Sequence, residues 1–328
     1  MDFRTVLTPA SSGLHWSYND RILMLGSCFA ENMGARLLRL KYRVCLNPFG
    51  TLYNPSSMAQ SIEKLLNPVA YSLADVFEEQ GVWANFDFHS RFAHSDKSKY
   101  LQIINAQLAA GHEFVQTATR WVLTLGTAWI YELLETGQTV NNCHKVPARC
   151  FARRRLSVSD VVERLGALLE WAKLQNPNLR ILLSVSPIRH VKDGLVENQL
   201  SKSTLVVAAH ELRARCGDWV EYFPAYELLM DDLRDYRFYA SDMVHPSDVA
   251  IEYIWNAFES AILSPADAAY RQQIERLQRA IEHRPFNPQT PAHQQFIQKN
   301  LLQIDRLQQA LPLLDFASER ERLAQQLI

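Results

Sequence analysis

No apolar run of the roughly 20 residues needed for a membrane-spanning helix occurs anywhere in the 328-residue sequence. The opening stretch, MDFRTVLTPASSGLHWSYND, has no unbroken apolar segment of signal-peptide length, so a cytoplasmic protein without a membrane partner is expected. Charge of one sign is also lacking. Thirty-four basic residues meet 35 acidic ones for a formal net charge of -1, which leaves no long-range field to gather a polyanion and argues against nucleic acid as a partner. The short basic cluster Arg153, Arg154 and Arg155 reads as a solvated face. The five cysteines, Cys28, Cys45, Cys143, Cys150 and Cys216, include no C-x-x-C pair, so neither a disulfide framework nor a zinc ribbon is signalled. His89 and His94 stand at no common zinc spacing, and neither G-x-G-x-x-G nor a P-loop is present, so no metal and no organic cofactor is expected. What remains is an ordinary globular composition, 48% hydrophobic and 21% charged, on a chain long enough to bury a large core.

Short apolar runs alternate with longer amphipathic stretches, the pattern of strands joined by crossover helices in a parallel sheet. The runs are RILML at 21–25, YRVCL at 42–46, RWVLTL at 120–125, RILLSVS at 180–186 and WVEYF at 219–223. Helical spacing predicts helices over 31–40, 56–66, 158–175 and 199–216, the third with Ser157 as N-cap and Pro177 just past its end. Two regions break the alternation. An insert at about 71–119 carries the aromatic and histidine cluster GVWANFDFHSRFAH, read either as a packed hairpin or loop or as a binding element. After 263 the composition turns to Gln, Arg and Glu on helical periods, interrupted by RPFNPQTP at 284–291. This tail, 264–328, is expected as two or three exposed helices packed on a 1–263 body, as a brace, a lid or a contact between two copies.

LMLGSCFAENMG, at 24–35, sets two nucleophiles side by side where a strand becomes a helix. Ser27 falls at the carboxyl end of the first strand, where open parallel sheets bind ligands and where unpaired helix N-terminal amides can meet an oxyanion. Taken alone, a serine before a helix reads more simply as an N-cap. Far along the chain, in SDMVHPSDVAIEYIWNAF, Asp242 and His245 stand three apart, so one turn brings them to the same side. Asp242 would then hold the Nδ1-H of His245, with Nε2 left as a base. Pro246 suits the first position of the following helix. By themselves these two residues read as a turn cap and a surface histidine. Ser27, Asp242 and His245 together, all at one sheet edge, read as a triad.

These blocks resemble a known family. GSCFA at 26–30 is the motif for which the GSCFA family is named, a family similar to the SGNH (GDSL-like) hydrolases. NPFGTLYNPSS at 47–57, FHSRFAH at 88–94, LTLGTAWIYE at 123–132, NNCHKVP at 141–147, SVSPIRHVKDG at 184–194 and DMVHPS at 242–247 also look like family blocks, and the likeness covers about 20–260. The resemblance implies a three-layer α/β/α domain with a mainly parallel five-stranded, flavodoxin-like sheet. It also implies Ser27 as nucleophile, with Asp242 and His245 completing the triad. In the oxyanion hole it implies the amides of Ser27 and Gly50. The usual asparagine is missing from LGTAW: either the Thr127 hydroxyl donates instead, or Asn142 folds back, or the hole has fewer donors.

Adjacent residues at such a turn point different ways, so Ser27 facing His245 leaves Cys28 toward the core. The competing picture gives Cys28 a lowered pKa and the nucleophile's role. Asn47, His89, His144, Arg189 and His190 are the expected substrate-binding residues; His144, Arg189 and His190 read equally as loop pins. The expected activity is hydrolysis of an acyl or acetyl ester of a carbohydrate or small molecule. The alternatives are an acyltransferase using the same triad and a non-catalytic carbohydrate-binding protein.

Overall fold

All five apolar runs become strands of one parallel sheet. In the computed structural model, which describes residues 4–327 apart from 12, 14 and 284, the chain begins with β1 (Arg21–Gly26), α1 (Cys28–Arg39), β2 (Arg43–Leu46) and α2 (Pro55–Leu66). The hairpin β3 (Phe77–Glu79) and β4 (Val82–Ala84) leads to α3 (Lys97–Gln116) and β5 (Arg120–Leu125). Next come three short strands, β6 (Trp129–Leu133), β7 (Thr139–Val140) and β8 (Phe151–Arg155), followed by α4 (Val158–Gln175), β9 (Arg180–Val185), α5 (Leu195–Cys216) and β10 (Val220–Phe223). A single turn, α6 (Ala225–Glu227), precedes α7 (Asp248–Ile262), α8 (Ala268–Glu282), α9 (Pro291–Ala310) and α10 (Ala317–Ala324).

The sheet runs β10-β9-β5-β1-β2 with every pair parallel. Strand order reverses between β1 and β5, and a crevice opens at the carboxyl ends of such a pair. Side chains alternate between two cores. Leu23, Leu25, Leu123 and Leu183 enter the one covered by α2 to α5, while Ile22, Met24, Val122 and Leu182 enter the one under α1 and α7. The architecture is the expected three-layer α/β/α sandwich, its strands apolar on both faces because both are covered. Ser157 caps α4 through a capping box with Asp160.

Three local expectations are corrected. Besides the hairpin β3-β4, the insert holds an unforeseen helix: α3 occupies 97–116 and buries Tyr100, Ile104, Leu108 and Val115, serving as the crossover that brings the chain into β5 parallel to β1. Between β5 and α4 stands an unforeseen antiparallel sheet, β7-β6-β8. Pro246 lies ahead of the last helix of the body rather than at its first position, since Ser247 is the N-cap and accepts from the Ala250 amide at 3.3 Å.

The tail is more deeply joined than a set of exposed helices. Ile274 and Ile281 of α8, Ile297, Ile304 and Leu307 of α9 and Leu323 of α10 share a buried cluster with Leu37 of α1 and Ile254 of α7. Ion pairs from Arg39 to Glu275 and Glu282, and from Lys41 to Glu319, fringe this contact. The half-exposed Arg39 pairs contribute little, the Lys41–Glu319 pair is largely buried, and the apolar burial holds the helices in place. The interrupting stretch 284–291 begins at Arg284, which lies outside the described residues.

Candidate active site

The elbow between β1 and α1 is built to be narrow. A Cβ on Gly26 would stand 2.8 Å from the Cβ atoms of Ala30 and Thr124, so only glycine lets β5 come this close. Asn47 clamps the elbow from behind. Its Oδ1 accepts from the Gly26 amide at 2.9 Å and its Nδ2 donates to the Gly26 carbonyl at 3.1 Å. Asn47 is 0% exposed and has φ +46°, a left-handed conformation that asparagine tolerates better than most residues. It is therefore a brace and not the substrate contact expected from sequence. Asn47→Ala should leave the Gly26 amide buried without a partner and put alanine at a positive φ, lowering stability by about 2–4 kcal/mol. Calorimetry would read this as a lowered Tm, and an unchanged Tm would refute the clamp.

Ser27 stands at the N-cap of α1, yet its side chain makes no capping bond. Its Oγ donates instead to Ser186 Oγ at 3.0 Å, just past β9, and Ser27 is 1% exposed. Cys28 is half-buried, partly packed against the core behind α1. Burial, and then the charge of Glu31, push the Cys28 thiol up from its ordinary value. The lowered pKa that would favour a Cys28 thiolate is therefore not what this environment produces.

Asp242 and His245 meet as the spacing requires. His245 Nδ1 lies 2.6 Å from Asp242 Oδ2, while Asp242 Oδ1 accepts the amides of Val244 and His245, each at 2.9 Å. Met243 between them takes φ +58°, which tightens the turn. The amide of His245 and then that of Val244 hold the Asp242 carboxyl down to about 2, so the aspartate is ionised at any ordinary pH. A carboxylate partner calls for a proton on Nδ1 and leaves Nε2, which makes no hydrogen bond among the described residues, as the basic nitrogen.

Ser27 and His245 are not hydrogen-bonded to each other, but one loop ties down both. Ser186 at its start holds the Ser27 hydroxyl, and the Arg189 amide three residues later donates to the Val244 carbonyl at 3.3 Å, next to His245. Beside this loop opens a cavity of about 440 Å³, with Tyr53, Thr127, Asn142, Arg189 and His190 among its walls. Burial, with smaller effects from Lys202 and His245, drives His190 down to about 3, so its imidazole is neutral. Its ring meets Tyr53 edge-on at 5.7 Å.

Several expected site residues are engaged elsewhere. The Gly50 amide, expected in the oxyanion hole, donates to the Asn47 carbonyl at 2.7 Å, and Gly50 holds φ +87° with no room for a Cβ beside His89. Thr127 Oγ1 pairs with Ser201 Oγ at 3.1 Å and accepts from the Trp129 amide at 3.2 Å, so it braces a turn instead of pointing a free donor at the elbow. Asn142 reaches the cavity, with its Oδ1 taken by the His144 amide at 2.9 Å. His89 Nδ1 accepts from Arg91, and His144 Nε2 pairs with the Asn85 carbonyl at 2.8 Å. Those two histidines pin loops, and burial lowers both from their ordinary values. Arg189 and His190 line the cavity.

Lys202 was not anticipated. It is 0% exposed, and its Nζ donates to the carbonyls of Gly126 at 2.6 Å and Ser186 at 2.7 Å, tying the ends of β5 and β9 together beneath the elbow. The sequence signal lies in α5, where Asn198, Ser201, Lys202, Leu205, Ala208, Ala209 and Leu212 form the inward stripe. Among the described residues no group of three or more His, Cys, Asp or Glu side chains is placed to hold a metal ion, and no helix is long and apolar enough to cross a membrane.

Comparison with known proteins gives two family matches. A model described as the GSCFA family covers residues 21–258, and one described as GSCFA domain protein, C-terminal domain, covers residues 274–328. Among solved structures, the chain is similar to a carbohydrate esterase family 3 from Talaromyces cellulolyticus at 9% identity and a TM-score of 0.36, over 78% of this chain and 99% of that one. It is also similar to an acetyl xylan esterase, Est2A, from the rumen bacterium Butyrivibrio proteoclasticus at 12% identity and a TM-score of 0.38, over 75% of this chain and 65% of that one. A search of curated proteins returned no match. With one match running from β1 into α7, over well more than half of its length, the chain belongs to the GSCFA family.

Proposed function

We propose that this protein is a serine-dependent ester hydrolase of the SGNH type, removing acyl or acetyl groups from a carbohydrate or small-molecule ester. The observation that carries the reading is the Asp242–His245 pair at 2.6 Å, with an ionised carboxylate behind the ring and Nε2 left over. In the first half-reaction the Ser27 hydroxyl leaves Ser186 and turns to the imidazole. Oγ bonds to the carbonyl carbon as its proton passes to His245 Nε2, and the same proton returns to the departing alcohol. In the second half-reaction water repeats the sequence and releases the acid. The amide of Ser27 and those of the first turn of α1, which have no intrahelical acceptors, stabilise the oxyanion. Gly50 is not assigned to the hole, because its amide closes the turn from Asn47.

A second reading makes Cys28 the nucleophile with the same histidine. What favours it is access, since Ser27 is 1% exposed whereas Cys28 is only half-buried. Turnover of 4-nitrophenyl acetate, followed by fluorophosphonate trapping and peptide mapping, tests both. The expected result is turnover with a single adduct on Ser27. An adduct confined to Cys28 would transfer the role, and absence of both turnover and adduct would remove the hydrolase.

A further inference from the structure

The cavity beside the Ser186–His190 loop has walls with more positive charge than the fold needs. Arg153, at one side, forms a two-point pair with Asp193, its Nη2 at 2.5 Å from Oδ2, so these two charges answer each other. Arg189 and Lys192 also line the cavity, and among the described residues neither forms an ion pair. The Arg189 guanidinium lies over the Tyr239 ring at 4.1 Å and the Tyr236 ring at 5.0 Å, and Lys192 Nζ donates to the Tyr131 hydroxyl at 2.8 Å. Aromatic rings and a phenol orient these cations without neutralising them. On a chain whose formal net charge is -1, two uncompensated cations on one cavity are a local departure that suits an anion.

The same walls are rich in groups suited to hydroxyls. Asn142, Tyr53 and Asn141 line the cavity. Just behind its surface Trp129 Nε1, Asn141 Oδ1 and His190 Nε2 are closed to solvent and have no hydrogen-bond partner among the described residues, so a small side-chain movement would bring them to a ligand. A wall made for packing alone has no reason to carry unpaired polar atoms, each of which costs about 1–3 kcal/mol.

We propose that this cavity binds the alcohol part of the ester, and that this part is a polyhydroxylated anion: a sugar ring bearing a carboxylate or a phosphate, with its charge held by Arg189 and Lys192. The inference rests on the proposed hydrolase only in taking the cavity as the seat of the alcohol. It uses no group of the Asp242–His245 pair.

Titration calorimetry on the full chain with glucuronate, glucose 6-phosphate and glucose tests it without any turnover. At least one of the two anions should bind about ten-fold or more tightly than glucose, the margin a charge-assisted contact gives. Which anion is preferred distinguishes a carboxylate site from a phosphate site. The Arg189→Met, Lys192→Met double variant should lose that margin while binding glucose as before. Added KCl should weaken the anions and leave glucose unaffected, a check on the unaltered protein should the double variant fail to fold. Equal binding of all three sugars, binding of none, or a margin indifferent to both salt and substitution would each overturn the proposal. Such a failure leaves the ester hydrolase standing, and an inactive esterase leaves the binding result standing.

Discussion

Asp242→Asn and His245→Ala are each expected to lower kcat for an acetyl ester by about 10³–10⁴-fold, with little change in KM. The asparagine variant is the sharper test. Its Oδ1 can still accept the amides of Val244 and His245, so the turn around Met243 is kept. What changes is the second oxygen, now an amide nitrogen that donates to the ring and forces the proton from Nδ1 to Nε2, the nitrogen needed as base. A variant that folds normally and turns over slowly is therefore the expected outcome, and combining the two substitutions should cost no more than one, because they disable a single device. Acidification alone does not imitate the loss at Asp242. The carboxyl is held at about 2 by the His245 amide first and the Val244 amide next, below its value in the unfolded chain. Its contribution to the turn is thus present above the ordinary carboxylate range and disappears only as pH falls through about 2. Asp242→Asn with wild-type kcat would show that the pair is only a turn cap.

The second large effect concerns Lys202 and runs through stability. Desolvation brings its ammonium to about 7 in the folded protein, below the usual lysine value. Between these two values the unfolded chain binds the extra proton, so unfolding free energy rises with pH by about 1.4 kcal/mol per unit, about 4–5 kcal/mol across the whole window. Below about pH 7 both states are charged and the slope vanishes. The ionisable groups around it do not share the window. His190 is already neutral, and the Tyr226 ring, 5.9 Å from Nζ, has its hydroxyl raised by burial. Urea midpoints measured from neutral to mildly alkaline pH should climb for the wild type and stay flat for Lys202→Met. Parallel curves for the two proteins would mean that this lysine keeps its charge in the folded protein. The substitution also deprives the Gly126 and Ser186 carbonyls of their donor, which should loosen the loop that holds Ser27.

How much of this could be read from the sequence depended on the range over which each signal acts. The strands were legible because an all-parallel sheet covered on both faces writes itself as short runs of Leu, Ile and Val, and the Asp242–His245 turn because its partners are three residues apart. α3 was overlooked although Tyr100, Ile104 and Leu108 repeat at helical spacing, since the aromatic cluster just before it reads as loop. The strand Phe151–Arg155 escaped because three consecutive arginines do not look like sheet, and only pairing with Trp129–Leu133 makes them one. Lys202 occupies an inward position that periodicity marks, but a lysine there is ordinarily assigned to solvent. The bond from Ser27 to Ser186 spans 159 residues and leaves no local trace. The direction of the Gly50 amide follows from a φ value that residue type alone does not give.

The buried cluster shared by Trp16, Leu37, Ile254 and Leu323 has a bearing on biosynthesis. Trp16 is synthesised about three hundred residues before Leu323, so the cluster in which α1 rests stays incomplete while that length of chain is translated. Over that interval the nascent chain keeps the apolar sides of α1 and α7 that meet these helices uncovered, and a chaperone would find a foothold there.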